Sequence, residues 1–547
     1  MTTDLYHLGD YAPSVSRVAA QLDGSRVPAR LKAHDHTLWN DDPAEIADRM
    51  AWLTLPTDSR GITGELVEFA TEVRDAGFRY VALLGMGGSS LGPEVIRQIV
   101  GSPVSGGYPQ MLTLDSTVPA WVSTATAAID PAFTTFVLSS KSGTTTEPLT
   151  FYAHFRNLVE ACVGVERAGD NFIAITDPDT ALARLAQSEG FRRTFINDPD
   201  IGGRYSVLSH FGLVPAALTG VDLARLLEPA AAMQQRCLSA GPVADNPGAW
   251  LGTVIGTLAK EGRDKLTLVA SPKIAGFGLW VEQLLAESTG KNCTGIIPVA
   301  AEPLQSSDAY GADRLFVQLR LANDDSSDAR AADQAMLLLE SAGHPTVRLE
   351  LSGAYDLGAE FYRWEYATAI AGHILGIHPF DQPDVQGAKD RTVSVLEGYQ
   401  AAGRLPDTRS DDAGRLLEIL AESGPGDYLA IMAYLPDADG IGDAICELRR
   451  RVMDKHGIAT TAGYGPRFLH STGQLHKGGP DSGIFLQLTQ EHVADLDIPG
   501  WPFSFGTLAD AQALGDLQAL RNLGRRAVSI RLDGNPADAI HRLADML

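Results

Sequence analysis

Short apolar, β-branched runs alternate with helical patterns through most of this chain, and this alternation constrains the fold more than any other feature. Runs such as Tyr80–Leu84 have the length of one buried strand, and the stretches between runs can hold crossover helices. Such alternation predicts parallel α/β sheets. We therefore expect an α/β protein with two doubly wound parallel-sheet domains and a C-terminal α/β domain. The expected boundaries are 1–60 for an N-terminal helical extension, 61–225 and 240–400 for the doubly wound domains, and 425–547 for the C-terminal domain.

The predicted strands divide among these three domains. The first domain has Tyr80–Leu84, Met111–Asp115, Thr135–Ser140 and Phe172–Thr176. The second has Lys265–Ser271, Gly295–Ala300, Arg314–Leu321 and Thr346–Leu351. The third has Tyr428–Leu435, Gly483–Thr489 and Ala527–Leu532. The polar stretch 405–428, which contains several glycines and prolines, is the predicted boundary before the third domain.

The charge balance limits the partners that this chain can bind. It contains 44 Lys and Arg against 68 Asp and Glu, which gives a formal net charge of −24 at pH 7. Nucleic acids and anionic membranes are held by broad basic surfaces, so we expect neither as a partner. An anionic ligand would have to be held by a few local cations. The four scattered cysteines, the N-terminus without a signal pattern and the lack of a long apolar run indicate a cytoplasmic protein.

Two polar loops follow predicted strands of the first domain. The glycine loop, residues 85–93 (GMGGSSLGP), permits close backbone approach and offers N–H groups at a helix start. The hydroxyl loop, residues 139–147 (SSKSGTTTE), combines serines and threonines with one lysine and one glycine. Alone, they are also compatible with a tight turn and a helix N-cap. Ligand crevices form at the carboxyl ends of parallel strands, so together the loops predict a phosphate pocket rather than a dinucleotide site.

Three further motifs contain a charged residue in a turn or at a helix end. In GGRYS, the glycine pair permits close approach, and Arg204 stays charged even in a dry site. In ESTGK, Glu287 ends an amphipathic run and suits a positioned general base. In PFDQP, Gln382 lies in a turn between two prolines, and Lys389 follows it. Each motif alone is also compatible with a surface arginine, a solvated helix end or an exposed lysine.

The five motifs GMGGSSLGP, SSKSGTTTE, GGRYS, ESTGK and PFDQPDVQGAK, in this order over about residues 60–395, resemble those of the phosphoglucose isomerases. In that family the two doubly wound units are sugar-isomerase (SIS) domains. The tail motifs GYGPRFLHSTGQLHKGG (463–479) and AQALGDLQAL (511–520) resemble the isomerase half of bifunctional transaldolase/phosphoglucose isomerases. Because only residues 1–60 precede the first SIS domain, we expect a stand-alone isomerase.

The resemblance implies the interconversion of glucose 6-phosphate and fructose 6-phosphate, a step of glycolysis and gluconeogenesis. It implies a metal-free proton transfer through a cis-enediol, with no cofactor, in a homodimer. It further implies that Glu287 moves the proton between C1 and C2, that Arg204 stabilises the enediolate and that Lys389 assists ring opening. The substrate contacts that it implies are Gly88, Ser89, Ser140, Lys141, Ser142, Thr145 and Gln382.

One feature of the family is missing from its expected place. In many members a histidine after the second strand of the second domain helps to open the sugar ring, but residues 302–320 contain none. His210, close to GGRYS, is interpreted as structural, and His378 is a weaker candidate. The tail motif contains His470 and His476. We interpret the tail as a structural or oligomerisation segment, with contact to the active site as the alternative.

Two other functions are compatible with the same motifs. A dual phosphoglucose/phosphomannose isomerase would use the same proton shuttle on the C2 epimer. A non-catalytic sugar-phosphate-binding regulator would need the hydroxyl loop, but it would have no use for both a base and an oxyanion partner. The presence of Glu287, Arg204 and Lys389 together favours an enzyme.

Overall fold

Three sheets organise the chain in the computed structural model, which describes residues 4–101, 106–406, 410–436, 438 and 440–547. Residues 407–409 of the predicted boundary stretch lie outside this part of the chain. All strand pairs are parallel except one, so the predicted α/β class with parallel sheets is confirmed. No helix within the described ranges is both long and apolar enough to cross a membrane.

The N-terminal segment contains a short strand as well as the expected helices. Strand β1 (Leu5–His7) pairs antiparallel with residues 346–348 of the second sheet. Three residues are too few to show a strand pattern, so the sequence did not predict this pairing. The helices of this segment are Ala12–Gly24, Val27–Lys32 and Leu55–Asp58.

The first sheet has five parallel strands in the order β3-β2-β4-β5-β6. They are β2 (Tyr80–Gly85), β3 (Gln110–Leu114), β4 (Thr134–Ser139), β5 (Phe172–Thr176) and β6 (Arg193–Ile196). The first four are the predicted strands, whereas β6 is a four-residue, partly exposed edge strand without an apolar run. The surrounding helices are Thr63–Asp75, Leu91–Val100, Pro119–Ala127, Thr146–Val163, Val165–Ala168, Ala181–Ser188 and His210–Leu218.

The second sheet has the order β1-β10-β9-β7-β8. Its parallel strands are β7 (Lys265–Ala270), β8 (Ile297–Val299), β9 (Arg314–Leu321) and β10 (Thr346–Leu351), all at predicted positions. Its residues are mostly buried, as expected for a parallel sheet with helices on both faces. The helices associated with it are Leu223–Cys237, Pro247–Lys260, Phe277–Thr289, Ser327–Ser341 and Leu357–Leu375. The following helix, Gln386–Ala402, packs against the helix Phe505–Asn522 of the C-terminal unit.

The third sheet has four parallel strands in the order β12-β11-β13-β14. They are β11 (Tyr428–Tyr434), β12 (Ala459–Tyr464), β13 (Gly483–Gln490) and β14 (Arg526–Leu532). Strand β12 was not predicted, because its sequence ATTAGY lacks a continuous apolar run. The helices of this unit are Ala413–Ala421, Ile441–His456, Gly473–Gly478, Phe505–Asn522 and Pro536–Asp545.

One helix of the second unit lies where all three units meet. Phe277–Thr289 is apolar and buried on almost every side, as a helix without a solvent face must be. It contacts the helix Leu91–Val100 of the first unit and the helix Gly473–Gly478 of the third. The end of this helix, which carries Glu287, is therefore surrounded by residues from distant parts of the chain.

The glycine and hydroxyl loops begin side by side. Strands β2 and β4 are neighbours, and their register pairs Gly85 with Ser139, the last residue of each strand. In the sheet, β2 lies between β3 and β4. The chain runs from β2 to β3 on one side of β2 and then crosses over to β4 on its other side, so the two loops flank the switch point of the first sheet. This is the position where ligands bind in open α/β sheets.

The glycine loop also touches the backbone of the GGRYS turn. A Cβ atom added to Gly88 would lie 2.0 Å from the carbonyl oxygen of Gly203, a distance that no side chain can occupy. Only glycine at position 88 therefore allows this close backbone contact, which brings the turn that carries Arg204 next to the first sheet.

We expect Gly88→Ala to destabilise the fold, because the clash involves backbone that cannot move aside as a flexible side chain could. Steric overpacking typically costs ~1–3 kcal/mol of folding free energy. The matched control is Gly203→Ala, on the other side of the same contact, whose added Cβ would meet no atom within 4 Å. Thermal unfolding should separate the variants, and equal midpoints would contradict the proposed contact.

Candidate active site

Three of the predicted site residues meet at a buried guanidinium. Arg204 is 3% exposed and lies in a short turn after the first sheet. One terminal nitrogen, Nη1, is 3.2 Å from Oε1 of Glu287 and donates a hydrogen bond of 3.0 Å to Oε1 of Gln382. The sequence positions of these residues are far apart, but the fold brings all three side chains into direct contact.

The other donors of Arg204 are also engaged. Nε donates to the hydroxyl of Ser288 at 2.8 Å, and Nη2 donates to the carbonyl oxygens of Pro379 and Asp381 at 2.7 and 2.9 Å. A guanidinium with this many fixed acceptors has little freedom to rotate. The positive charge is therefore held in place before any substrate arrives, as stabilisation of a developing negative charge requires.

Glu287 is oriented from its other side by an amide. Its Oε2 accepts a hydrogen bond of 3.1 Å from Nε2 of Gln283, one helical turn earlier. The same amide nitrogen donates to the carbonyl oxygen of His470 at 2.9 Å. The carboxylate is thus fixed between Arg204 and Gln283, and Gln283 connects it to the tail motif.

A cavity of about 320 Å³ is linked to this cluster through His470, which lines the cavity and whose carbonyl oxygen accepts the hydrogen bond from Gln283. One wall is the hydroxyl loop and the start of the helix Thr146–Val163, and another is the helix Gln386–Ala402 with Lys389. The tail contributes His470. The polar residues that line the cavity are Ser142, Thr144, Thr145, Thr146, Glu147, Gln386, Lys389, Thr392, His470, Lys477 and Gln512.

His470 forms a charged or hydrogen-bonded pair with a buried carboxylate in this cavity. Its Nε2 is 3.0 Å from Oε1 of Glu147, which also accepts a hydrogen bond of 2.6 Å from Nε2 of Gln512. Burial works to raise the pKa of Glu147, but the charge and hydrogen bond of His470, with a smaller effect of Lys389, hold it below its ordinary value. Glu147 therefore lies in the cavity as a carboxylate.

Contacts of the neighbouring tail residues hold His470 in position. Arg467 forms a two-bonded ion pair of 2.7 and 2.8 Å with Asp115, directly after β3. Gln474 donates to the carbonyl oxygen of Gly290 at 2.9 Å and accepts from the backbone nitrogen of Asp384, also at 2.9 Å. The tail is thus tied to the first and second units, and its role as a structural or oligomerisation segment stays a prediction.

The sequence did contain a signal for His470. It lies in the tail motif 463–479, and residues 302–320, where the family resemblance places the ring-opening histidine, contain none. What was missing was the spatial relation between a third-unit loop and a first-unit cavity. The two other candidate histidines do not line this cavity: His210 packs against Phe195, and His378 lies in the loop before Gln382, beside the carbonyl oxygen of Ala44.

The remaining predicted ligands differ in their orientation. Ser142 and Thr145 line the cavity. Ser140 lies just behind them, with its hydroxyl 3.1 Å from that of Thr145. Gly88 and Ser89 lie in the glycine loop against the Arg204 turn. Lys141 is directed away, because its ammonium pairs with Asp177 and donates to the carbonyl oxygen of Pro199 at 2.9 Å.

Comparison with known structures reveals the same overall fold. A glucose-6-phosphate isomerase from Chlamydia trachomatis superposes with a TM-score of 0.57 at 18% identity, covering 74% of this chain and 88% of that one. A hypothetical protein from Thermus thermophilus superposes with a TM-score of 0.60 at 22% identity, covering 72% of this chain and 100% of that one.

The structural comparison shows the fold alone, whereas the sequence comparison identifies the family. The profile of the family described as Phosphoglucose isomerase matches residues 70–301. A glucose-6-phosphate isomerase of Symbiobacterium thermophilum is 30% identical over 432 residues, which cover 68% of this chain and 96% of the relative. One from Staphylococcus aureus strain Mu3 is 30% identical over 393 residues, covering 64% and 87%. Since these relatives are matched over nearly their whole length, the chain belongs to the phosphoglucose isomerase family.

Proposed function

We propose that this chain interconverts glucose 6-phosphate and fructose 6-phosphate through a cis-enediol. The observation that carries the proposal is the contact between Glu287 and Arg204, a carboxylate and a fixed guanidinium 3.2 Å apart. Gln283 and His470 link this pair to a cavity lined with hydroxyl groups. Proton transfer next to a carbonyl needs a base and a stabiliser of the oxyanion, and this pair supplies both.

In the forward direction, Glu287 removes the proton from C2 of the open-chain aldose. The C–H electron pair forms the C1–C2 double bond, and negative charge develops on O1 near Arg204. In the enediol the proton of the C2 hydroxyl is transferred to O1. Glu287 then returns its proton to C1, the C1–C2 double-bond electrons form the new C1–H bond, and the electron pair on O2 forms the carbonyl at C2. Because the proton returns to the substrate, the reaction is a net isomerisation that consumes no redox cofactor and requires no metal in this mechanism.

The hydroxyl loop binds the phosphate in this proposal. Ser142, Thr144 and Thr145 line the cavity at the start of the 18-residue helix Thr146–Val163, whose free N–H groups favour an anion. Phosphate bound here fixes the distance between the sugar carbons and Glu287 and so contributes to catalysis through positioning. Lys141 stays a predicted phosphate ligand, and binding would require it to exchange its contact with Asp177.

Ring opening is assigned to His470 together with Lys389. Both side chains line the cavity, and Glu147 lies 3.0 Å from the imidazole. A carboxylate partner fixes the orientation of an imidazole and stabilises its protonated form. His470 can then pass a proton to the ring oxygen as its bond to the anomeric carbon breaks, while the anomeric hydroxyl releases its proton to water and becomes the carbonyl. The predicted homodimer and cytoplasmic location remain predictions.

A coupled assay of the purified chain on fructose 6-phosphate tests the reaction itself. We expect glucose 6-phosphate to form at the same rate with and without EDTA, because every step is assigned to a side chain. No product would overturn the function, and loss of activity on chelation would overturn the metal-free mechanism. Mannose 6-phosphate, assayed in parallel, distinguishes a dual isomerase.

Replacing the base should abolish turnover but leave binding intact. For Glu287→Gln we expect kcat to fall by about 10²–10⁴-fold or more, the usual contribution of general-base catalysis, with little change in phosphate affinity. The control is Glu282→Gln on the same helix. Burial raises the pKa of Glu282 to about 8, so its carboxyl is mostly uncharged at pH 7 and resembles glutamine. If both variants kept full turnover, the base would be assigned wrongly.

The role of His470 can be separated from proton transfer with a substrate that has no ring to open. We expect His470→Gln to lower kcat on fructose 6-phosphate by about 10²-fold. On 5-deoxyfructose 6-phosphate, which lacks the hydroxyl that closes the furanose, the variant should approach the wild-type rate. His210→Gln serves as the control and should match the wild type on both substrates. Equal losses of His470→Gln on both substrates would contradict a role in ring opening.

A further inference from the structure

A buried lysine beside the active site has no role in the mechanism described so far. Lys291 follows the helix Phe277–Thr289, four residues after Glu287, and is 3% exposed. Its ammonium donates to the carbonyl oxygens of His378 and Asp381 at 2.5 and 2.6 Å and to the Asp381 carboxylate at 2.5 Å. Burying an ammonium is costly unless it is paired and hydrogen-bonded, so these contacts identify a constrained position.

Lys291 and Arg204 donate hydrogen bonds to the same loop. This loop, residues 378–382, accepts hydrogen bonds from Arg204 through the carbonyl oxygens of Pro379 and Asp381 and through the Gln382 side chain. One atom is shared: the carbonyl oxygen of Asp381 lies 2.6 Å from Nζ of Lys291 and 2.9 Å from Nη2 of Arg204. A displacement of the loop at Lys291 would therefore move the acceptors that orient Arg204.

The charges around this atom balance each other. Arg204 pairs with Glu287, and Lys291 pairs with Asp381, so two cations and two carboxylates occupy one buried region. Burial, and then repulsion from Arg204, lowers the pKa of Lys291 to about 8, while Asp381 and Glu287 act in the opposite direction. Without the ammonium, the Asp381 carboxylate would lose the ion pair that neutralises it in this buried region.

We propose that Lys291 is a positioning residue, which fixes the 378–382 loop and neutralises Asp381 so that Arg204 stays directed at Glu287 and at the oxyanion that forms beside it. Lys291 does not touch the substrate in this role. The inference rests on the proposed isomerase function, since the orientation of Arg204 matters most in the transition state.

The test compares Lys291→Met, Asp381→Asn and the double variant. We expect Lys291→Met to lower kcat for fructose 6-phosphate at least tenfold with KM changed less than about twofold, because the phosphate contacts lie elsewhere and only transition-state stabilisation is lost. The double variant, which removes both charges, should recover most of the lost kcat. Because the second substitution also relieves a buried unpaired carboxylate, kcat is compared per folded molecule, so that its recovery reports the orientation of Arg204 rather than stability.

A buried lysine outside the site provides the matched control. Lys265, at the amino end of β7, pairs with Asp264 and is 1% exposed. We expect Lys265→Met to lower the thermal unfolding midpoint but to leave kcat unchanged. If Lys265→Met and Lys291→Met lost kcat equally, the effect would be general destabilisation, and the proposal would be overturned.

The pH dependence gives a second measurement. As pH rises through about 8, Lys291 loses its proton, so kcat of the wild type should decline on the alkaline side. Lys291→Arg keeps its charge, so its alkaline decline should move to higher pH. The other charged groups that face this ammonium are Arg204, Asp381 and Glu287, with His378, whose pKa burial lowers, 3.9 Å from the Asp381 carboxylate.

The experiments distinguish a failure of the proposed isomerase function from a failure of the positioning role of Lys291. An inactive wild type would overturn the proposed function. An active wild type with a folded Lys291→Met that keeps its kcat would overturn only the positioning role. Should Lys291→Met fail to fold, Lys291→Arg decides, because an alkaline decline identical to the wild type would also overturn it.

Discussion

The buried guanidinium of Arg204 is the interaction on which the arrangement of the site depends. Its donors are taken by a hydroxyl at the end of one helix, by a glutamine and by two backbone carbonyls of a separate loop. A fully buried cation must be surrounded by acceptors, and these acceptors come from segments far apart in the sequence. The charge that stabilises an oxyanion therefore also fixes the relative positions of the segments around it.

The same requirement explains how a strongly acidic chain can bind an anionic sugar phosphate. The net charge of −24 is distributed over the whole chain, whereas Lys389 lines the cavity and Arg204 lies in the buried cluster that is linked to it. Charges at the solvated surface are screened over about 8–10 Å in physiological salt. The field at the substrate is consequently determined by the nearby cations rather than by the net charge of the protein.

The sequence predicted the central sheet strands and the cluster of Glu287, Arg204 and Gln382, because each of these features lies in a local motif. It could not predict β1 or β12, whose residues have no distinctive period and are held in strands by tertiary pairing. It also could not place His470 against Glu147, since that contact depends on the packing of the third unit on the first. The orientation of Lys141 toward Asp177 likewise depends on neighbours that no spacing reveals.

The short strand β1 has a consequence for the order in which the chain can fold. Leu5 pairs with Arg348, so the N-terminal strand reaches its partner only after most of the second unit has been synthesised. Pairings with large sequence separation form late, because loop closure must precede the contacts that stabilise it. During translation the first unit can form its own five-stranded sheet, while residues 5–7 wait for β10 to complete the edge of the second.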